Sequence, residues 1–200
     1  MITTAAIDII EKLIRDNGSV VSTADVVSAG LSKTTLSVLE KGGKIVRVAR
    51  GQYVLPDELP DELYLWQLRM PRLVYSHETA LFLHDMAERT PARHSITLPS
   101  DVRLSATFPG DIKVYMIKPE LFEVGLVVAP SKMGHEVRAY DVERTVCDIL
   151  RSRNRIDDQT VVAAMKNYVN RPGKDINKLG HYASLLRVTK ILRSYLEVLL

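Results

Sequence analysis

Apolar residues at the start of the chain recur with helical spacing. Ala6, Ile9, Ile10, Leu13 and Ile14 follow the i, i+3, i+4, i+7, i+8 pattern, which predicts a helix from about Thr4 to Asp16, stopped by Asn17-Gly18. Ser22 with Asp25 three residues later is an approximate capping box opening a short second helix, with Val21 and Val26 at staple positions and Gly30 at its end. A third helix begins after Leu31 with Ser32 as N-cap, Leu36 stapling back onto Leu31, and Gly42-Gly43 closing it. Leu36 and Leu39 then point inward, leaving Lys33, Ser37 and Lys41 along the outer face beside Thr34. Lys44-Ile-Val-Arg-Val-Ala and Gln52-Tyr-Val-Leu read as two strands joined by a tight turn at Arg50-Gly51 that needs the φ freedom of glycine. Three helices and a hairpin predict a winged helix-turn-helix whose third helix is the recognition element.

Beyond the hairpin, Pro56-Asp-Glu-Leu-Pro60-Asp-Glu is a doubled Pro-Asp/Glu segment where a boundary is expected. The expected organisation is a winged helix over residues 1–55, a linker over 56–62 and a second domain over 63–200. The second domain reads as mixed: short helices at Tyr64–Met70 and His77–Met86, then strand-like runs at Ser95–Leu98, Lys113–Ile117, Val124–Ala129 and Glu136–Tyr140. From Asp141 onward the pattern is helical. Val142, Val146, Ile149 and Leu150 form one stripe, and Val161, Val162, Met165, Tyr168 and Val169 the next. The predicted class is therefore α+β, ending in helices.

Charge sharpens this picture. The net value of +3 is unremarkable, but residues 1–55 hold seven Lys/Arg against five Asp/Glu, residues 56–150 ten against fifteen, and residues 151–200 ten against four. Between Lys33 and Arg50 there are five basic residues and one acid, Glu40. A solvated face would normally mix signs. Short hydroxyls and lysines on an exposed helix reach base edges and phosphates in a major groove without steric conflict, so Ser32, Lys33, Thr34, Thr35 and Ser37 are candidates to read or approach bases. Lys41, Lys44, Arg47 and Arg50 are candidates to hold phosphates, the two arginines from the hairpin. Near the C-terminus, Lys174, Lys178, Arg187, Lys190 and Arg193 lie opposite apolar stripes. They form either a second phosphate-binding surface, for DNA or for an RNA, or a solvated face.

Other chemistry has little support. One cysteine, Cys147, excludes an internal disulfide and a thiol metal framework, and its apolar neighbours make it a core residue. No apolar run approaches the roughly 20 residues needed to span a bilayer, and the start lacks the features of a secretory leader. A soluble cytoplasmic protein without a cofactor is expected. Asp101 with Asp111-Ile-Lys113 has the permissive spacing of a metal-dependent nuclease. His77 and His84 lack further metal ligands, and Ser76-His77, as neighbours at a helix start, are not expected to face each other. No catalytic residue is expected.

Several stretches also resemble, in order along the chain, the AbiEi family of antitoxins: Gly30-Leu-Ser-Lys-Thr-Thr-Leu36, Val48-Ala-Arg-Gly-Gln-Tyr-Val-Leu-Pro56, Tyr75-Ser-His-Glu-Thr-Ala-Leu-Phe-Leu-His84 and Tyr140-Asp-Val-Glu-Arg-Thr-Val-Cys-Asp-Ile-Leu150, with Leu179-x-x-Tyr-Ala and Tyr195-Leu-Glu-Val-Leu-Leu200 near the end. The resemblance implies a winged helix that binds double-stranded operator DNA and represses its own promoter. It also implies a C-terminal domain that counters a co-expressed nucleotidyltransferase toxin in phage defence, without a stable complex between the two. A winged-helix regulator whose C-terminal domain senses a small ligand, and the metal-dependent nuclease, are the competing readings.

Overall fold

The computed structural model describes residues 4–58, 61–87, 89–105, 108 and 110–199; Leu59 and Pro60 of the expected linker and Leu200 of the terminal motif lie outside them. The chain is α+β and divides into two compact units, one of residues 1–71 with 131–135, the other of residues 72–130 with 136–200.

In the first unit, helix α1 (Thr4–Asp16) precedes strand β1 (Val21–Ser22), helices α2 (Thr23–Ser28) and α3 (Lys33–Lys41), and strands β2 (Val46–Ala49) and β3 (Gln52–Val54). The three strands form an antiparallel sheet in the order β1-β3-β2, with a bulge in β2 between Arg47 and Ala49. Its core joins Ile10 and Ile14 of α1 to Val21, Val26, Leu36, Leu39, Ile45 and Tyr53. Ile9, placed on the inward stripe by the periodicity, is exposed, and Ile7 packs against the core from the other flank. The buried line therefore runs Ala6, Ile10, Ile14, a narrower i, i+4, i+8 stripe.

The stretch expected as a linker does not divide the units. Helix α4 (Glu62–Arg69), capped by the Asp61 side chain on the Tyr64 N–H at 3.2 Å, belongs to the first unit. Its Leu65 packs with Val20 and Val54, and the Arg69 guanidinium donates to the carbonyl oxygen of Val48 on β2. Asp61 also accepts from the Ser131 hydroxyl and lies 3.0 Å from His135 Nδ1, while the His135 ring stacks on Tyr64. These bonds join residues that no local composition links.

The second unit is built on a five-stranded mixed sheet in the order β6-β5-β4-β8-β7, from β4 (Val74–Tyr75), β5 (His94–Pro99), β6 (Ile112–Ile117), β7 (Leu126–Pro130) and β8 (Glu136–Tyr140). β4 pairs antiparallel with β5 and parallel with β8, β5 runs parallel to β6, and β7 and β8 are antiparallel. Helix α5 (His77–Leu83) follows β4, the short α6 (Pro119–Phe122) follows β6, and α7 (Val142–Arg151), α8 (Asp158–Asn170), α9 (Ile176–Leu185) and α10 (Thr189–Leu199) complete the chain. Every residue of α7 from Val142 to Leu150 is buried, and α5, α8, α9 and α10 all pack against it.

With the N-cap Asp141, that burial includes four charged side chains, Asp141, Glu143, Arg144 and Asp148, each of which has partners, and the Thr145 hydroxyl, which donates to the Tyr140 carbonyl at 3.3 Å. Asp141 caps α7 through the Arg144 N–H at 2.8 Å, and its other oxygen accepts from the Tyr182 hydroxyl at 3.1 Å and Lys178 Nζ at 2.9 Å. Glu143 accepts from the Asp175 N–H, and its other oxygen lies 3.7 Å from Lys178 Nζ. Arg144, with no exposed surface, donates to Asp148 at 3.0 Å and to the carbonyls of Leu121 and Val124 at 2.9 and 2.6 Å, and lies over the Tyr140 ring. Gly125 permits this approach: it sits at φ +76°, and a Cβ there would come within 2.7 Å of Arg144 Cβ. Burial lifts the Asp148 carboxyl to about 6 against the pull of Arg144, and pushes the Cys147 thiol up to about 12, so Cys147 stays a thiol in the core.

His77 is also buried, at φ +48°, a backbone region rarely adopted outside glycine. That turn brings its Nδ1 within 2.9 Å of Ser76 Oγ, so the neighbouring pair does face each other, contrary to expectation. His84, the other histidine of that stretch, instead bonds the Tyr140 carbonyl through Nε2 at 2.6 Å.

Two outcomes are expected. Arg144→Ala leaves Asp148 buried without its cation and lowers the stability of the second unit by about 3–5 kcal/mol in urea unfolding; a loss under about 1 kcal/mol contradicts the role given to Arg144. Burial first, then Lys113, Arg144, Arg155 and Arg151, depress His77, so the folded chain keeps it neutral where a free imidazole would protonate. The unfolded chain then takes up the extra proton at this residue, so the stability contributed by His77 falls as pH drops below about 6.5, while Asp148, raised to about 6, works in the opposite sense below that value. His77→Gln flattens that dependence; an unchanged pH profile would show that the ring does not cause it.

Candidate nucleic-acid interface

Helix α3, the candidate recognition element, is set by local bonds at both of its ends. The α2 capping box is complete, with Asp25 N–H on Ser22 Oγ at 3.1 Å and Ser22 N–H on the Asp25 carboxylate at 2.8 Å. Gly30, at φ +81°, turns the chain, and the Leu31 N–H returns to the Val26 carbonyl at 3.1 Å. Ser32 then caps α3 through the Thr34 N–H, and its hydroxyl also meets that of Thr34 at 2.8 Å. Gly43 at φ +66° ends the helix, with the Lys44 N–H on the Leu39 carbonyl.

With Leu36 and Leu39 in the core, α3 presents Lys33, Thr34, Ser37 and Lys41 as exposed side chains, with Ser32 exposed at the cap and Thr35 partly covered. Thr34, Ser37, Val38 and Lys41 fall at i, i+3, i+4, i+7 on one exposed stripe. Val38 was missed by the sequence reading; the residue is 52% exposed, an apolar point within a polar face. Its signal was available, since a valine on the stripe opposite Leu36 and Leu39 cannot reach the core.

The hairpin follows α3 in the chain, and its tip is tied to the start of α2. The Gly51 carbonyl accepts from both the Thr23 N–H at 2.8 Å and the Thr23 hydroxyl at 3.3 Å. Gly51 holds φ +71°, and a Cβ there would meet Thr23 Oγ1 at 3.0 Å. Lys44, Arg47 and Arg50 are all exposed, Arg47 with its Nε turned back to the Ala49 carbonyl at 3.3 Å. None of Lys33, Lys41, Lys44, Arg47 and Arg50 has an ion pair among the described residues. The one unit thus carries five unneutralised cations on adjacent elements.

Residues 8–56 match a family model described as a transcriptional regulator, AbiEi antitoxin. Over these residues the chain is AbiEi-like. The match takes in most of α1, helices α2 and α3 and the hairpin, and it ends at Pro56, so the motifs further along lie beyond it. Among solved structures, the crystal structure of RV2827C protein from Mycobacterium tuberculosis is 18% identical with a TM-score of 0.60, covering all of this chain and 82% of that one. At that identity what is shared is the fold. No curated protein matches the chain.

The C-terminal basic set is not uniform. Lys178 is engaged with Asp141 and Glu143, so its charge is spent within the fold. Lys174, Arg187, Lys190 and Arg193 are exposed, with Lys190 and Arg193 one turn apart on α10 and Lys174 Nζ on the Arg171 carbonyl at 3.5 Å. The nuclease spacing is not realised as a site. β5 and β6 are parallel in the register His94↔Ile112 to Pro99↔Ile117, so Asp101, beyond the end of β5, and Asp111, before the start of β6, lie at opposite ends of the sheet. Asp101 approaches Arg72 at 4.0 Å, Asp111 pairs with Arg93 at 2.6 Å, and Lys113 pairs with Glu78 at 3.0 Å. No group of three potential metal ligands occurs among the described residues, and no helix there is long and apolar enough to cross a membrane.

Gly51→Ala forces a left-handed backbone on a residue with a Cβ and crowds Thr23, so the first unit should lose about 1–2 kcal/mol in thermal or urea unfolding. An alanine variant as stable as the parent would show that the tip is not held as described.

Proposed function

We propose that the chain is a DNA-binding transcriptional repressor and antitoxin, cytoplasmic, that silences its own promoter and counters a co-expressed nucleotidyltransferase toxin in phage defence. The observation that carries the DNA reading is the exposed stripe of α3 followed by the hairpin: short hydroxyls and five cations without ion pairs among the described residues, on consecutive elements of a module that matches AbiEi transcriptional regulators. Ser32, Lys33, Thr34, Thr35 and Ser37 approach base edges in the major groove, Val38 offers an apolar contact to a thymine methyl, and Lys41, Lys44, Arg47 and Arg50 hold phosphates. Lys174, Arg187, Lys190 and Arg193 give the second unit exposed cations of its own that a nucleic acid could meet. The antitoxin role rests on the family likeness of the module, and the toxin's identity as a nucleotidyltransferase rests on the resemblance alone.

The chain acts here by binding, without catalysis of its own. The ligand-sensing reading keeps one specific support, the cavity described below.

A gel-shift titration with the chain's own upstream DNA tests this. The full chain binds it, and adding Mg²⁺ leaves the DNA uncut. Lys33→Ala with Thr34→Ala abolishes specific binding, at roughly 1–3 kcal/mol for each lost base contact, with the fold intact. Arg50→Ala leaves sequence preference alone and reduces the slope of log K against log salt by about 0.9. In cells carrying the toxin, the double variant no longer represses but still protects. Unchanged operator affinity in the folded double variant would remove α3 from the interface.

A further inference from the structure

The second unit contains a cavity of about 310 Å³ between the end of α7, the Arg153–Arg155 turn and β6. Its charge is unbalanced. Asp148, the carboxylate in its wall, is already bonded to Arg144, and Lys113 behind it is already paired with Glu78. Arg151 and Arg155 also line it, and neither has a carboxylate partner among the described residues; Arg155 lies 4.5 Å over the Tyr115 ring with one nitrogen on the Val114 carbonyl at 3.4 Å.

A chain of hydroxyls and one imidazole ends at the same cavity. The Thr97 hydroxyl donates to Ser76 Oγ at 2.8 Å. Among the described residues, the acceptor within reach of the proton of Ser76 itself is His77 Nδ1, at 2.9 Å. With Nδ1 accepting, Nε2 of the neutral ring carries the proton and donates to Ser152 Oγ at 3.0 Å. Ser152 therefore has its own O–H left to donate, and it lines the cavity. The ring is fixed by stacking on Tyr115 at 3.4 Å and by the φ of +48° at His77, strain of the sort that persists where the surrounding structure enforces it. Burial first, and the surrounding cations after it, hold the imidazole neutral, which keeps the direction of this relay.

Two unpaired guanidinium groups and a hydroxyl donor converging on one cavity are the complement of an anion with several acceptor oxygens. Volume narrows the class. A water occupies about 30 Å³ in the liquid, so an inorganic phosphate would leave most of the space unfilled, whereas the cavity sits at the small end of organic-ligand sites. Met116 and Ile117 add an apolar wall for the organic part.

The geometry points to a binding site for a small organic phosphate of mononucleotide size, its phosphate held by Arg151, Arg155 and the Ser152 hydroxyl. The site is independent of the α3 interface and gives the second unit a ligand-responsive role. The phosphate is supplied either by a free nucleotide or by the 5′ end of a nucleic acid strand, which presents the same group.

Isothermal titration of the full chain with adenosine 5′-monophosphate, adenosine and a short single-stranded oligonucleotide with and without a 5′-phosphate tests this. At least one phosphorylated probe binds at least tenfold tighter than its unphosphorylated counterpart; the monophosphate identifies a free nucleotide and the oligonucleotide alone identifies a strand end. Arg151→Gln, an exposed position, keeps the melting temperature of the free chain and weakens the bound probe at least tenfold. Ser152→Ala weakens it less. If phosphorylated and unphosphorylated probes bind equally or not at all, or if Arg151→Gln leaves affinity unchanged, the site is not a phosphate site. Gel shifts with the promoter in the same Arg151→Gln variant stay at the parent level, which separates this result from the fate of the operator reading.

Discussion

The second unit depends on the burial of α7 with its charges. A helix with no solvent face is stable only if each polar group it carries finds a partner in the interior, because an unpaired buried charge costs several kcal/mol. Asp141, Glu143, Arg144 and Asp148 are each paired through residues from distant parts of the chain: Gly125 yields space, Leu121 and Val124 give carbonyls, and Lys178 and Tyr182 reach back from α9, while Nη2 of Arg144 is buried without a hydrogen bond. The stretch from Tyr140 to Leu150 is thus a structural hub. Its polar residues hold the sheet and the helices in register, and the same helix ends at Arg151, beside the cavity.

In the first unit a different constraint governs. Its core is small, so the geometry that matters for a groove is set by caps and turns: the reciprocal Ser22–Asp25 bonds, the Ser32 cap and the anchoring of Gly51 on Thr23. These bonds fix where α3 starts and where the hairpin tip stands. Cations and hydroxyls on those two elements are then presented together, as a nucleic acid requires of a reader.

Much of this was legible in the sequence, because the signals were local. The helix α1 begins and ends where its periodicity and Asn17-Gly18 place it, and the capping box and the Arg50-Gly51 turn are formed by the residues that announced them. What was not legible is non-local. β1 and β4 are two residues each and carry no periodicity, yet β4 is the central strand of its sheet. The boundary moved past α4 because Leu65 and Arg69 bind Val20, Val54 and Val48, partners that composition cannot reveal. Lys178 looked free on a basic stripe until the fold brought Asp141 and Glu143 to it. Ser76 and His77 face each other through a backbone angle that no residue preference foretells.

The central claim is that this chain reads a DNA sequence, and the most direct measurement is its specificity ratio. Affinity for the duplex upstream of its own gene should be compared with that for a scrambled duplex of equal length and composition, at about 150 mM salt. Sequence-specific binders hold their sites about 10³-fold or more tighter than unrelated DNA, and that margin is the predicted result. Equal affinity for the two duplexes, falling together as salt rises, would show a basic surface that attracts phosphate without reading sequence, and would contradict the account.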